Sequence, residues 1–185
     1  MPPYNDYKLR MMSESDLRIV LQWRNSERVR MNMYSDELIS WDDHCAWFSR
    51  IQNSQESRHY IFELNRTPIG VINFTSINSL HGKCSWGFYL GETDVPHGSG
   101  SVLGILGMSE AFEHLKIRKL CAEVFAFNEK SLRFHRRLGF TQEGILSQHV
   151  WKHNYYRDIV LFACFADQWG GIKKDLLLQY GEKLY

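Results

Sequence analysis

The sequence predicts a single mixed α/β domain over residues 1–185, with a central sheet flanked by helices, and three observations carry that prediction. His59 to Leu64 and Ile69 to Phe74 are rich in β-branched and aromatic side chains and are separated by Asn65-Arg66-Thr67-Pro68, the pattern of an antiparallel hairpin. Two further strand-like runs, Lys83 to Leu90 and Lys119 to Phe125, are joined through the glycine-rich turn Pro96-His97-Gly98-Ser99-Gly100-Ser101 and an apolar helix from Ser101 to Leu115, a crossover that puts the two strands side by side and parallel. A last pair, Phe140 to Leu146 with His149 to Trp151 and then Tyr156 to Phe165, approaches a turn at Lys152-His153-Asn154.

Size and composition bound the rest. A chain of 185 residues suits one domain that buries about 70% of its unfolded surface. With 44% apolar and 14% aromatic residues it is not a disordered chain. The net charge of +1 supplies no long-range attraction to nucleic acid, although arginines cluster at Arg24 to Arg30 and Arg133 to Arg137, enough for a small anionic ligand. Cys45, Cys84, Cys121 and Cys164 are far apart in apolar segments, which reads as buried thiols rather than disulfides or a metal site. The N-terminus lacks a basic stretch followed by an apolar run, and no segment reaches membrane-spanning length, so a cytoplasmic protein with no membrane partner is expected.

In chain order, Tyr7 to Met11 forms a short first strand. Ser13 then caps a helix whose Asp16, Leu17, Val20, Leu21 and Trp23 recur with helical spacing. From Trp23-Arg24-Asn25 to Leu38 runs a basic and aromatic connection with Arg30 and Tyr34, which suits a ligand cover and a solvated turn equally. Ser40 and Asp43 open a second helix with the stripe His44, Trp47, Phe48 and Ile51. After the hairpin, Thr75 to Asn78 prolongs its second strand or bends away, and Ser79-Leu80-His81-Gly82 turns the chain into Lys83 to Leu90. The glycine-rich turn leaves unpaired N–H groups at the positive end of a helix, an anion site or a plain strand-to-helix turn. Glu129 to Leu138 is a further helix stopped by Gly139, and the tail from Asp167, with Trp169, Ile172, Leu176, Leu177 and Tyr180 at helical spacing, docks on the domain. Aromatic surface at Trp169 or Tyr180 would serve a homodimer or close the sheet within one subunit.

The glycine-rich turn, read from Val95 to Gly100, resembles the pyrophosphate-binding loop Arg/Gln-x-x-Gly-x-Gly/Ala of the GCN5-related N-acetyltransferases, with Val95 in place of the polar first residue. Asn128 through Phe140 resembles that family's second motif, Asn-x-x-Ala/Ser-x-x-Phe-Tyr-x-x-x-Gly-Phe, with His135 where the family has a tyrosine. The resemblance implies acetyl-CoA as co-substrate, no metal, and transfer of the acetyl group to an amine by direct attack. It places Leu90, Val95, Gly98, Ser99, Gly100, Ser101, Asn128 and Ser131 along the cofactor and His135 at the protonation step.

Glu123 interrupts an otherwise apolar strand, a place where a charge needs a partner, solvent or a task. Trp23-Arg24-Asn25, Met33-Tyr34-Ser35, His44 and Gly87-Phe88-Tyr89 resemble the branch of the family that acetylates the 4-amino group of UDP-4-amino-4,6-dideoxy-N-acetyl-β-L-altrosamine in pseudaminic acid synthesis for flagellin. That likeness implies Glu123 as general base, with Tyr89 beside it, its hydroxyl fitting both substrate contact and core packing. It also implies a nucleotide-sugar partner held by Arg24, Arg30, Tyr34, His44, Thr75, Ser76, His81 and Lys83. The alternatives are an N-terminal acetyltransferase of ribosomal proteins or peptides, which shares the Trp-Arg-Asn signature, and a non-catalytic CoA-binding domain.

Overall fold

A computed structural model describes residues 2–181, with side chains described up to Gln179; the side chain of Tyr180 lies outside the described residues. Seven strands form one mixed sheet in the order β1-β2-β3-β4-β5-β7-β6. Strands β1 (Tyr7–Met11), β2 (Arg58–Leu64), β3 (Thr67–Asn78) and β4 (Lys83–Leu90) form the expected antiparallel meander. β5 (Lys119–Phe125) joins β4 in parallel, and β6 (Thr141–Lys152) and β7 (Tyr155–Phe165) complete the sheet as an antiparallel pair.

Helices α1 (Leu17–Asn25), α2 (Glu27–Arg30) and α3 (Trp41–Gln52) follow β1. Leu17, Val20, Trp23 and Phe48 of α1 and α3 pack with Ile61 and Val71 on one face of the sheet. On the other face, α4 (Ser99–Ser109), α5 (Glu129–Arg137) and α6 (Ala166–Gly181) enclose the larger core, which includes Ile72, Trp86, Ile105, Leu120, Leu138 and Phe162. The Ser13 N–H donates to the Asp16 carboxylate at 2.8 Å, the expected reciprocal cap ahead of α1. Gly139, at φ +84°, ends α5 as a left-handed cap.

Three boundaries differ from the sequence expectation, each for a local reason. The β2–β3 turn is only Asn65-Arg66, both in the left-handed region, and Pro68 already lies in β3, opposite the register shift at Phe62 and Glu63 where a missing N–H is tolerated. α4 begins at Ser99, two residues early, and after Ser109 widens into a π-helical turn over Glu110–His114. β6 does not break after Leu146: it bulges, with Gln148 at φ +51° and its N–H bonded to the Asp158 carboxylate at 2.7 Å, so pairing resumes at Val150. Trp169 is 4% exposed, its ring tilted against Phe112 at 5.8 Å and its N–H donating to Glu113 at 2.8 Å, so it closes the subunit instead of offering a dimer surface.

Candidate functional site

The parallel pairing of β4 and β5 covers only Lys83–Ser85 against Lys119–Cys121. Beyond it the two strands part, β4 staying on β3 and β5 staying on β7, which opens a cleft between Trp86–Leu90 and Ala122–Phe125 with strand main chain along its walls. Alternation along β5 sends Leu120, Ala122 and Val124 into the larger core and turns Cys121 and Glu123 to the opposite face, where Glu123 is exposed.

Across this opening lies the segment after α2. The Tyr34 hydroxyl donates to the Glu123 carboxylate, and the Tyr34 ring sits 5.6 Å from Phe125. Burial and then the bonded carboxylate push the Tyr34 phenol up, so it keeps its proton at neutral pH. The arginines around it bond to main chain: Arg24 donates to the Ser35 carbonyl at 2.8 Å, Arg30 to that of Asp36 at 2.9 Å, and Arg28 to those of Leu90 and Gly91 at 3.0 and 2.6 Å, while Arg24 Nη1 and Arg30 Nε are buried with no partner among the described residues. Trp23 lies over Gly91, where an added Cβ would come within 2.0 Å of the indole, and its N–H donates to Glu92 at 2.9 Å.

At the other end of the cleft Gly98 adopts φ +92° and turns the chain into α4. The amides of Gly98 and Gly100 find no acceptor among the described residues, while those of Ser99 and Ser101 bond back to Pro96 and Gly98. A Cβ on Gly100 would meet only Leu90, at 3.9 Å, so the cradle is open. Arg137 of α5 donates to the Ser101 hydroxyl at 3.2 Å and brings a cation beside the helix N-terminus. Free amides, a helix dipole and a guanidinium together fit a pyrophosphate. Ser99 is buried and bonded to Tyr7 and Pro96, and Val95 packs against the core.

The remaining candidates divide into two groups. Asn128 accepts from the Ser131 N–H at 3.1 Å as the cap of α5 and donates to Asn32 at 2.9 Å, tying that helix to the Tyr34 segment. His135, 3% exposed, lies among Trp86, Phe88, Phe140 and Phe162; its Nε2 accepts from the Trp86 indole at 3.2 Å and its Nδ1 donates to the Ser131 carbonyl at 2.8 Å. Burial, against the Ser131 bond, lowers its pKa to about 4, so it is neutral with both nitrogens engaged. Tyr89 packs with the α1 and α3 core, and burial pushes its phenol up against the pull of Arg24.

Thr75, Ser76, His81 and Lys83 lie around the β3–β4 turn, at the paired end of β4 and away from the opening. His44 is buried on α3 and stacks on Trp47 at 5.1 Å. A cavity of about 310 Å³ lies elsewhere, between the end of α3 and the start of β2, lined by residues including Met12, Phe48, Ile51, Arg58 and His59 and by none of the expected site residues. Asp36 and Lys152, both joined to the Tyr34 segment, escaped the sequence because their partners lie far along the chain. All four cysteines are free, and no cluster of His, Cys, Asp and Glu able to hold a metal exists among the described residues. Nor is any described helix long and apolar enough to cross a membrane.

Residues 7–141 match the family described as Acetyltransferase (GNAT) domain. Spermidine N(1)-acetyltransferase of Escherichia coli is 24% identical over 169 residues, 91% of this chain and 91% of its own. The acetyltransferase PseH of Campylobacter jejuni is 25% identical over 130 residues, 70% of this chain and 80% of its own. Among solved structures, the spermidine N-acetyltransferase of Vibrio cholerae in complex with CoA and spermine superposes with a TM-score of 0.85 at 18% identity, covering 89% of this chain and 98% of that one; this likeness is one of fold. The same enzyme is also solved as a dodecamer.

These findings correct the expected nucleotide-sugar acceptor and, with it, the placement in pseudaminic acid synthesis and flagellin modification. The spermidine N(1)-acetyltransferase aligns over 91% of the chain, whereas the acetyltransferase PseH aligns over 70%. Geometry agrees for one part of the set: Thr75, Ser76, His81 and Lys83 are not at the cleft. The homodimer expected from tail aromatics loses Trp169 as its support, because that side chain is buried, while the side chain of Tyr180 lies outside the described residues.

Proposed function

Because the chain belongs to the GNAT acetyltransferase family and is an acetyl-CoA-dependent acyltransferase, we propose that its acceptor is a polyamine, acetylated at a primary amine of spermidine or spermine. The observation that carries this reading is the exposed Glu123 carboxylate at the opening between β4 and β5, oriented by Tyr34 and left without a cationic partner among the described residues. A polyamine arrives as an ammonium. It must approach an anion, lose a proton and present a lone pair, and one carboxylate at the cleft serves the first two needs.

Bound acetyl-CoA supplies the activated acetyl thioester. The Gly98 and Gly100 amides with Arg137 hold its pyrophosphate end, and the parted main chain of β4 from Phe88 to Leu90 lines its acetyl end. Glu123 takes the ammonium proton, and the Tyr34 phenol, which keeps its own, holds the carboxylate in place. The freed amine attacks the acetyl carbonyl and displaces the CoA sulfur, which leaves as thiolate and takes up the second amine proton. His135 shapes the floor through Trp86 and Phe88. Ser131 and Asn128 set the start of α5 against the same cleft.

Acetyl transfer to spermidine and spermine, measured beside a peptide with a free N-terminus, tests the acceptor: turnover with the polyamines is expected, and turnover with the peptide alone would sink the proposal. Glu123→Gln should lower kcat by roughly 10²-fold while leaving acetyl-CoA binding intact.

A further inference from the structure

We propose that Lys152 is a positioning residue for catalysis: from the tip of the β6–β7 hairpin it latches the Met31 to Asp36 segment so that Tyr34 is held against Glu123. The inference rests on the reading of Glu123 and Tyr34 as the reacting end. Lys152 is the last residue of β6, followed by a tight His153-Asn154 turn with both residues at positive φ. The β6–β7 hairpin runs past the end of β5, since Phe125 pairs with Ile159 and the hairpin continues to the Lys152–Tyr155 pair. Its tip therefore overhangs the mouth of the cleft.

The Lys152 side chain is 0% exposed, an unusual place for an ammonium. Every direction around it is satisfied by the cleft side of the molecule. It donates to the Met33 carbonyl at 2.9 Å, approaches the Arg30 carbonyl at 3.5 Å and the Asp36 carboxylate at 3.3 Å, and lies 5.8 Å from the centre of the Phe125 ring. Met33 is the residue before Tyr34, and Phe125 is the ring on which Tyr34 rests. His153 adds a second contact to Asp36 at 3.2 Å. Desolvation pushes the Asp36 carboxyl up, but the Lys152 hydrogen bond and charge outweigh it and hold Asp36 below the usual carboxylate range.

Such a cation does more than fill space. A four-residue helix and an irregular turn carry Tyr34, and neither has a buried stripe of its own beyond Val29. Arg24, Arg30 and Asn128 hold the same segment at Ser35, Asp36 and Asn32, and Lys152 adds the bond at Met33, directly before Tyr34. Its loss loosens the phenol, and catalysis is sensitive to displacements of about 1 Å. The ammonium is satisfied by two main-chain carbonyls and one carboxylate, a set that a neutral side chain of equal length cannot reproduce.

A double-mutant cycle between Lys152→Met and Tyr34→Phe, read as steady-state kinetics on the polyamine together with amide hydrogen exchange of residues 31–36, tests the proposal. Lys152→Met should lower kcat by about tenfold, with the KM for acetyl-CoA within about twofold of wild type, and the further loss in a Tyr34→Phe background should fall below about twofold. Exchange of the segment should quicken. The same kcat loss in both backgrounds, or exchange as slow as in wild type, would overturn the proposal. Should Lys152→Met fail to fold, Asp36→Asn removes the charged partner without opening a void and is held to the same cycle. Wild-type turnover by Tyr34→Phe alone would sink the reading of the reacting end instead, and the exchange rate separates the two outcomes because it reports the latch without any turnover.

Discussion

His59 and His135 are both buried imidazoles, yet they have opposite surroundings. His135 has each nitrogen bonded, to Trp86 and Ser131, whereas neither nitrogen of the 7%-exposed His59 has a partner among the described residues. Burial alone lowers the His59 pKa from 6.5 to about 4. The unfolded chain therefore takes up the proton first as pH falls, and the stability present above pH 6.5 is lost progressively down to about pH 4. Each such group contributes a slope of about 1.4 kcal/mol per pH unit inside that window. His59→Phe removes one titration and breaks no hydrogen bond among the described residues, so urea denaturation between pH 7 and pH 4 should show a shallower loss than wild type; an unchanged slope would mean that His59 takes up its proton equally in the folded and unfolded chain. The Glu123→Gln and Tyr34→Phe effects belong to the same scale, since each concerns one proton or one hydroxyl at the cleft.

Among the elements, α4 is the one on which both the core and the cofactor end of the cleft depend. It is apolar around its whole circumference because it is enclosed between the sheet and α5. Two glycines let it sit that close. A Cβ at Gly107 would come within 2.3 Å of Ile72 Cδ1 and 3.1 Å of Trp86 Cζ3, and one at Gly104 within 2.7 Å of Leu138 Cδ1. Ile72 and Leu138 are fully buried and have nowhere to move. Gly107→Val should therefore lower the unfolding free energy by about 2 kcal/mol or more and weaken acetyl-CoA binding, since the helix that carries Gly98 and Gly100 would shift. Gly144→Val on β6, where nothing lies within 4 Å, is the matched control and should stay within about 0.5 kcal/mol of wild type in the same denaturation assay.

The whole molecule is a sheet that is continuous through β1 to β4 and through β5 to β6, joined in the middle by a short parallel contact. Acetyl-CoA bound across that junction would hold both halves and should stabilise the folded state by mass action. At one hundred times its dissociation constant, about 2.7 kcal/mol and a Tm rise of roughly 5–11 °C are expected in a thermal-shift assay. No rise would contradict the cradle formed by Gly98, Gly100 and Arg137. The strands, the main helices and the glycine-rich turn were legible in the chain because each depends on near neighbours: alternation in β5, the Ser13–Asp16 cap, the left-handed Gly98 and Gly139. Glu123 was legible for the same reason, as a charge in an apolar run. Tertiary structure alone decided the rest. It set Tyr34 on Glu123, bonded the arginines to carbonyls, closed His135 into the core and drew Lys152 from an apparent surface turn to buried contacts with Met33 and Asp36. Local pattern specifies backbone conformation and which face is buried, but a hydrogen bond between residues 89 or 119 positions apart exists only once the sheet has brought its strands together.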